Sequence, residues 1–259
     1  MAIAAAACGP AGKVSSSVSY SVSAQKNYDK GVEQLAASHW TTAAKYFSFI
    51  KSRFPYSKFA VLAELRLADA EMGAEEYLEA IDSYKLFAKF HPTHEQVADG
   101  YVSYRIGLAY FKQLPGDFWL LPPSFEKDQS PVEDAGEEMR RFVQKFPDSP
   151  YRKQADKILS EVGKRLAAHE WYVARYYWTR GKPMGTVLRL RRLLERFGGV
   201  GYDEEALWLL GRAYAKVQMP DRAREAWGQL VEKFPESSRA GDARTEIARL
   251  PAAAVAPPK

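Results

Sequence analysis

Phe54-Pro55-Tyr56-Ser57, Phe146-Pro147-Asp148-Ser149 and Phe234-Pro235-Glu236-Ser237 are near copies of one another, and their spacing decides the fold. Phe90-His91-Pro92-Thr93 is a one-residue variant, and Phe197-Gly198-Gly199 repeats the pattern with Gly in place of Pro. Pro55 to Pro92 is 37 residues, and Gly198 to Pro235 is again 37. Each copy reads as a helix stop: Pro cannot extend the helix before it, and the Ser or Thr that follows suits the cap of the next. A small residue stands twelve before each proline, at Ala43, Ala80, Ala135 and Ala223. A bulky one stands eight before each stop, at Phe47, Tyr84, Met139, Leu190 and Trp227. Further upstream Gly31, Ala68, Gly107, Ala174 and Gly211 are again small, with Tyr110, Tyr177 and Tyr214 three residues after the last three of them. Small residues let two helices approach closely, and large ones fill the space between pairs.

A 37-residue period lies close to the roughly 34 residues of a tetratricopeptide repeat. The chain therefore reads as all-α, a tetratricopeptide-repeat solenoid of five helix pairs. The repeats fall near 24–56, 57–93, 94–148, 149–199 and 200–236, with a closing helix near 238–249. Leu207, Leu210, Gly211, Tyr214 and Val217 keep helical spacing, and no segment alternates as a strand would. Ser130-Pro131 and Ser149-Pro150 read as a cap followed by Pro at the first helical position. The third repeat holds about sixteen extra residues, centred on Leu114 to Pro123. They are either a binding loop or a cover over exposed core. The fourth repeat has a long first helix, from about Tyr151 to Arg180, and the Pro/Ala-rich tail 251–259 reads as disordered.

Composition agrees with helices and narrows the function. Of 259 residues, 46% are hydrophobic and 27% charged, enough for a core of one extended or two compact domains. The net charge of +5 permits an anionic partner, but basic and acidic residues alternate as on solvated helix faces, so nucleic acid is not called for. The single cysteine, Cys8, excludes an internal disulfide, and His39, His91, His94 and His169 lack metal-ligand spacing. No nucleophile elbow or P-loop occurs, and Gly198-Gly199-Val200-Gly201 reads as a turn. The paired carboxylates Glu75-Glu76, Glu137-Glu138 and Glu204-Glu205 lie where they complement helix dipoles. The chain reads as non-catalytic, with no cofactor and no metal. No apolar run approaches a membrane span. Met1 to Gly9 looks like the end of a bacterial lipoprotein signal, small residues before a cysteine, with the rest of 1–23 as a flexible tether. The stretch before Cys8 lacks a basic region, so an ordinary exposed thiol is the other reading.

The order of Arg53-Phe54-Pro55-Tyr56-Ser57, His91-Pro92-Thr93-His94, Tyr104-x-x-Gly107-Leu108, Asp128-x-Ser130-Pro131 and Phe146-Pro147-Asp148-Ser149-x-Tyr151 resembles the BamD family of outer-membrane assembly lipoproteins. The most specific match is Glu170-x-x-Val173-Ala174-x-Tyr176-Tyr177-x-x-Arg180-Gly181. The resemblance spans about residues 27 to 236; Glu95 stands where a proline is often seen, and Lys182 to Gly185 replaces a more aromatic stretch. It implies a lipid on Cys8 and a place on the periplasmic face of the outer membrane. It also implies two halves. Repeats one to three, 24–148, would bind unfolded β-barrel substrates through Tyr28, Trp40, Tyr77, Tyr101 and Tyr104, with Lys26, Lys45 and Arg105 for a carboxylate. Repeats four and five with the closing helix, 149–250, would dock the POTRA domain of a BamA-like barrel through Arg180, Arg189 and Arg192, alongside other accessory lipoproteins. On residues alone, a solvated stripe on an amphipathic helix is the other reading of those arginines. Two other functions compete: another periplasmic adaptor of cell division or peptidoglycan, and a soluble enzyme.

Overall fold

The computed structural model describes residues 18–114 and 123–251. Cys8, residues 115–122 of the insert and the tail from 252 lie outside them. Among the described residues every regular element is helical. The pairs are α1 (Ala24–Ala36) with α2 (Trp40–Arg53), and α3 (Lys58–Gly73) with α4 (Tyr77–Phe90). A short α5 (Glu95–Ala98) precedes α6 (Tyr101–Lys112), which pairs with α7 (Ser130–Lys145). Then come α8 (Arg152–Thr179) with α9 (Pro183–Phe197), α10 (Asp203–Lys216) with α11 (Pro220–Lys233), and the closing α12 (Ser238–Arg249). The five pairs and the closing helix fall where the spacing places them. The contacts group into two compact units, one up to Phe87 and one from Ala88.

The alternation of small and large residues is the packing rule of each pair. A Cβ on Gly31 would lie 2.6 Å from the Phe47 ring, and one on Gly107 would lie 2.9 Å from Met139 Cε. One on Gly211 would run into the Trp227 indole, whose Nε1 donates to the Trp208 carbonyl at 3.2 Å. Ala43, Ala80, Ala135 and Ala223 are fully buried, as are Phe47, Tyr84, Met139 and Leu190. Between α3 and α4 the buried Tyr84 hydroxyl donates to Asp69 Oδ1 at 2.6 Å.

The three Phe-Pro stops are uniform, whereas Phe90 and Phe197 remain the last residues of their helices. Phe54, Phe146 and Phe234 end their helices with φ near −130, each amide bonding the carbonyl four residues back. The capping that follows is less uniform than the sequence predicts. Ser149 Oγ and Ser237 Oγ accept from the amides of Tyr151 and Arg239, whereas Ser57 Oγ is buried without a partner. After the His-Pro stop, His94 Nδ1 rather than Thr93 accepts from the Gln96 amide at 3.2 Å, and it starts the extra helix α5. Nor is Pro150 the first helical residue, because α8 begins at Arg152. The long helix ends as predicted: Gly181 at φ +66 and Lys182 donate back to Trp178 and Tyr177, a reversal that a side chain at Gly181 would strain. Before α1, the chain from Val18 to Ser23 is held in place. Asn27 bonds the Ser21 amide and carbonyl at 2.7 Å each, and Tyr20 stacks on Phe49 at 4.1 Å.

Candidate partner-binding site

Along α8, Ala155, Ile158, Val162 and Leu166 form a buried stripe spaced three and four apart that continues to Ala174. Glu170 occupies a place in that stripe, and its side chain is 4% exposed. A carboxylate taken out of water needs cations, and α9 supplies two. Thr186, Val187, Leu190 and Leu193 are the buried positions of α9, so Arg189 and Arg192 stand at the edge of its apolar face, one turn apart. Arg189 Nη1 lies 3.2 Å from Glu170 Oε2, and Arg192 Nε lies 3.0 Å from Glu170 Oε1. Arg192 Nη2 reaches on to Glu133 Oε1 of α7 at 3.2 Å. Three helices are thus tied by two carboxylates, Glu170 and Glu133, and the Arg192 guanidinium that bridges them.

The arginine heads are not buried with it: Arg189 is 33% and Arg192 41% exposed. Beside them opens a polar cavity of about 260 Å³, lined also by Asp128, Ser130 and His169. The Ser130 amide and hydroxyl donate to Asp128 at 3.1 and 2.9 Å, and these bonds hold its carboxyl below the usual range. His169 Nδ1 meets the Phe125 carbonyl at 2.7 Å, so it carries the proton and pins the turn at Ser124–Glu126 to α8.

Of the three predicted partner arginines, Arg189 and Arg192 therefore come together on Glu170, and Arg180 does not join them. Arg180 is exposed at the end of α8, its guanidinium 5.0 Å from the Tyr176 ring centre. Glu170 and Glu133 are absent from the residues that sequence reasoning singled out as binding. The signal for Glu170 is an acid at a buried helical position, which has to be neutralised.

The predicted substrate residues fall in both units. In the first, Tyr28 packs 5.9 Å from Phe47 and 5.6 Å from Phe59. Trp40 lies over Gly73, at the edge of a cleft of about 610 Å³ that His39 and Thr41 also line. Tyr77, half-buried, opens α4. In the second unit the rings gather on Tyr151: Tyr104 stacks on it at 4.8 Å and Tyr101 tilts against it at 5.7 Å. Arg105 lies 5.6 Å from the Tyr101 ring. Tyr104 is buried, and burial raises its phenol above the ordinary value. Lys26 and Lys45 are exposed.

Among the described residues no helix is long and apolar enough to cross a membrane, and no group of His, Cys, Asp or Glu has the arrangement of a metal site. Paired helices, glycine-to-ring contacts and aromatic stops define a tetratricopeptide-type repeat protein, a class that stacks helices to present binding surfaces. The chain belongs to the YfiO family of outer membrane lipoproteins, which it matches over residues 21–228. It is 29% identical over 217 residues to the outer membrane protein assembly factor BamD of Neisseria gonorrhoeae, covering 83% of this chain and 80% of that one. It is 28% identical over 241 residues to the BamD of Neisseria meningitidis serogroup A, covering 92% and 90%. Of solved structures, the TPR2AB-domain:pHSP90-complex of yeast Sti1 overlays with a TM-score of 0.43 at 16% identity, over 87% of this chain and 84% of that chain.

Proposed function

We propose that this chain is a non-catalytic scaffold and receptor in the assembly of β-barrel proteins into the outer membrane. The observation that carries the reading is the family match across residues 21–228, joined to relatives named as assembly factors. In this reading a lipid on Cys8 holds the chain at the periplasmic face of the outer membrane. One acyl chain anchors only marginally, so firm attachment takes the several chains of a bacterial lipoprotein. Repeats one to three receive unfolded barrel substrates, with Tyr28 in the first unit and Tyr101 and Tyr104 in the second among their aromatic contacts. Repeats four and five dock the POTRA domain of a BamA-like barrel, and accessory lipoproteins join the complex. Arg189 and Arg192, oriented by Glu170 and still a third or more exposed, supply forked donors for a partner carboxylate.

The test is to tag the full-length protein in its own host, solubilise the outer membrane in detergent and identify what co-purifies. A BamA-like barrel is expected in the eluate, and depletion of the protein should lower the content of folded outer-membrane barrels. Recovery of division or peptidoglycan proteins, with barrel content unchanged, would replace this reading with the periplasmic-adaptor one.

A further inference from the structure

The residues of α8 that face away from Glu170 form a second feature. Trp171, Tyr172, Arg175 and Tyr176 follow one another at helical spacing of one, three and one, so they share a face. Phe125 closes one side of that face, its ring 5.5 Å from Tyr172 and its carbonyl pinned by His169. Tyr202, just before α10, closes the other, 6.0 Å from Trp171. Between them runs an open groove of about 380 Å³ whose lining starts at Ala168 and ends at Thr179. The eleven helical steps between them extend about 16 Å, room for about five residues of extended chain. Tyr172 is 36% and Tyr176 47% exposed, although both are large rings on a well-packed helix.

The charge along this groove has one sign. Among the described residues no carboxylate lines it, while Arg175 projects from its floor and Arg180 lies over Tyr176 at its end. Aromatic faces bury apolar side chains well, and guanidiniums beside them select carboxylates. The floor is held by the α8 backbone and the flanking rings by packed neighbours, so little ordering is needed on binding.

We infer that this groove takes an extended acidic segment of a partner protein, with an aromatic side chain seated among Tyr172, Tyr176 and Tyr202 and its carboxylates on Arg175 and Arg180. The inference rests on the scaffold reading for the occupant being a polypeptide. It gives Arg180 a surface separate from that of Arg189 and Arg192.

The test titrates the full chain, by fluorescence anisotropy at moderate salt, with three short labelled peptides that alternate Phe with Asp, Phe with Lys, or Ser with Asp. The Phe–Asp peptide is expected to bind roughly tenfold more tightly than either other peptide, since apolar contact and carboxylate are both required. Tyr172→Ala with Tyr176→Ala should weaken it roughly tenfold, and Arg175→Gln should weaken it less while flattening its salt dependence. These side chains are exposed, so circular dichroism melts of the variants are expected to match the parent and separate a lost site from a lost fold. Failure of the Phe–Asp peptide to bind, equal binding of the Phe–Lys peptide, or indifference to the tyrosine substitutions overturns the proposal. So does self-association in sedimentation that the tyrosine substitutions abolish, since the occupant would then be a second copy of this chain. Co-purification with a barrel is a separate measurement, so the groove can fail while the assembly role stands.

Discussion

At the scale of single residues, Glu170 and its two arginines differ in what each loses when the others go. The carboxylate is buried, so it cannot regain water, whereas Arg189 and Arg192 are exposed enough to turn outward. Removing Arg189 alone leaves Arg192 on Oε1, and that loss should resemble a surface pair, below about 1 kcal/mol. Removing both arginines orphans a buried charge, a change that costs about 3–5 kcal/mol when a pair is broken. Arg189→Ala with Arg192→Ala is therefore expected to destabilise by clearly more than the sum of the single changes, read as a double-mutant cycle in urea. Additive losses would mean that Glu170 finds another cation or is neutralised. The same variants separate structure from binding. If Arg189 meets a partner carboxylate, Arg189→Ala weakens co-purification of the barrel by about tenfold or more with little change in melting. If its only partner is Glu170, affinity follows stability.

At the scale of helices, the small-to-large rule explains why the pairs form and predicts how they fail. Phe47 occupies the space that a side chain at residue 31 would need. Gly31→Ala gains helix propensity, but the clash with a fully buried ring should win, for a net loss of about 1–3 kcal/mol. Phe47→Leu alone leaves a gap beside Gly31. Combined with Gly31→Ala it should recover part of the loss, which thermal unfolding of the four proteins would detect as favourable coupling. Independent effects would show that the contact between α1 and α2 is softer than 2.6 Å implies. This rule was legible in the sequence because it is local and periodic: the stops, the alanines and the rings recur at fixed offsets. The capping was less legible, since whether Ser57 or His94 takes the amide depends on the turn around it. Least legible was the ion cluster. Arg189 is 19 residues from Glu170 and Arg192 is 59 from Glu133, and only packed helices bring them together. Glu170 in an apolar stripe announces that a cation is needed, but not which. The aromatic face of α8 was visible as residues and invisible as a groove, because Phe125 and Tyr202 reach it from distant turns.

At the scale of the whole chain, the net charge of +5 and the exposed arginines of the second unit bear on how fast a partner arrives rather than on how tightly it stays. Exposed charges act over about a Debye length, near 10 Å at 0.1 M salt, so they steer approach and are screened early. Buried or half-buried pairs are screened little, and their loss appears in dissociation. The two arginine sets should therefore separate kinetically when the full chain binds the proposed barrel partner. Raising salt from about 0.05 to 0.5 M is expected to slow association several-fold and to leave dissociation nearly constant. Arg175→Gln and Arg180→Gln should reproduce part of that slowing at low salt, because both side chains are exposed. Arg189→Ala should act mainly on dissociation, because its head is held against Glu170 and can be enclosed when the partner docks. Stopped-flow or surface-plasmon measurements resolve the two rates. Association that quickens with salt would mean that the partner presents positive charge, which no exposed guanidinium would attract. The carboxylate partner assigned to Arg189 would then fail.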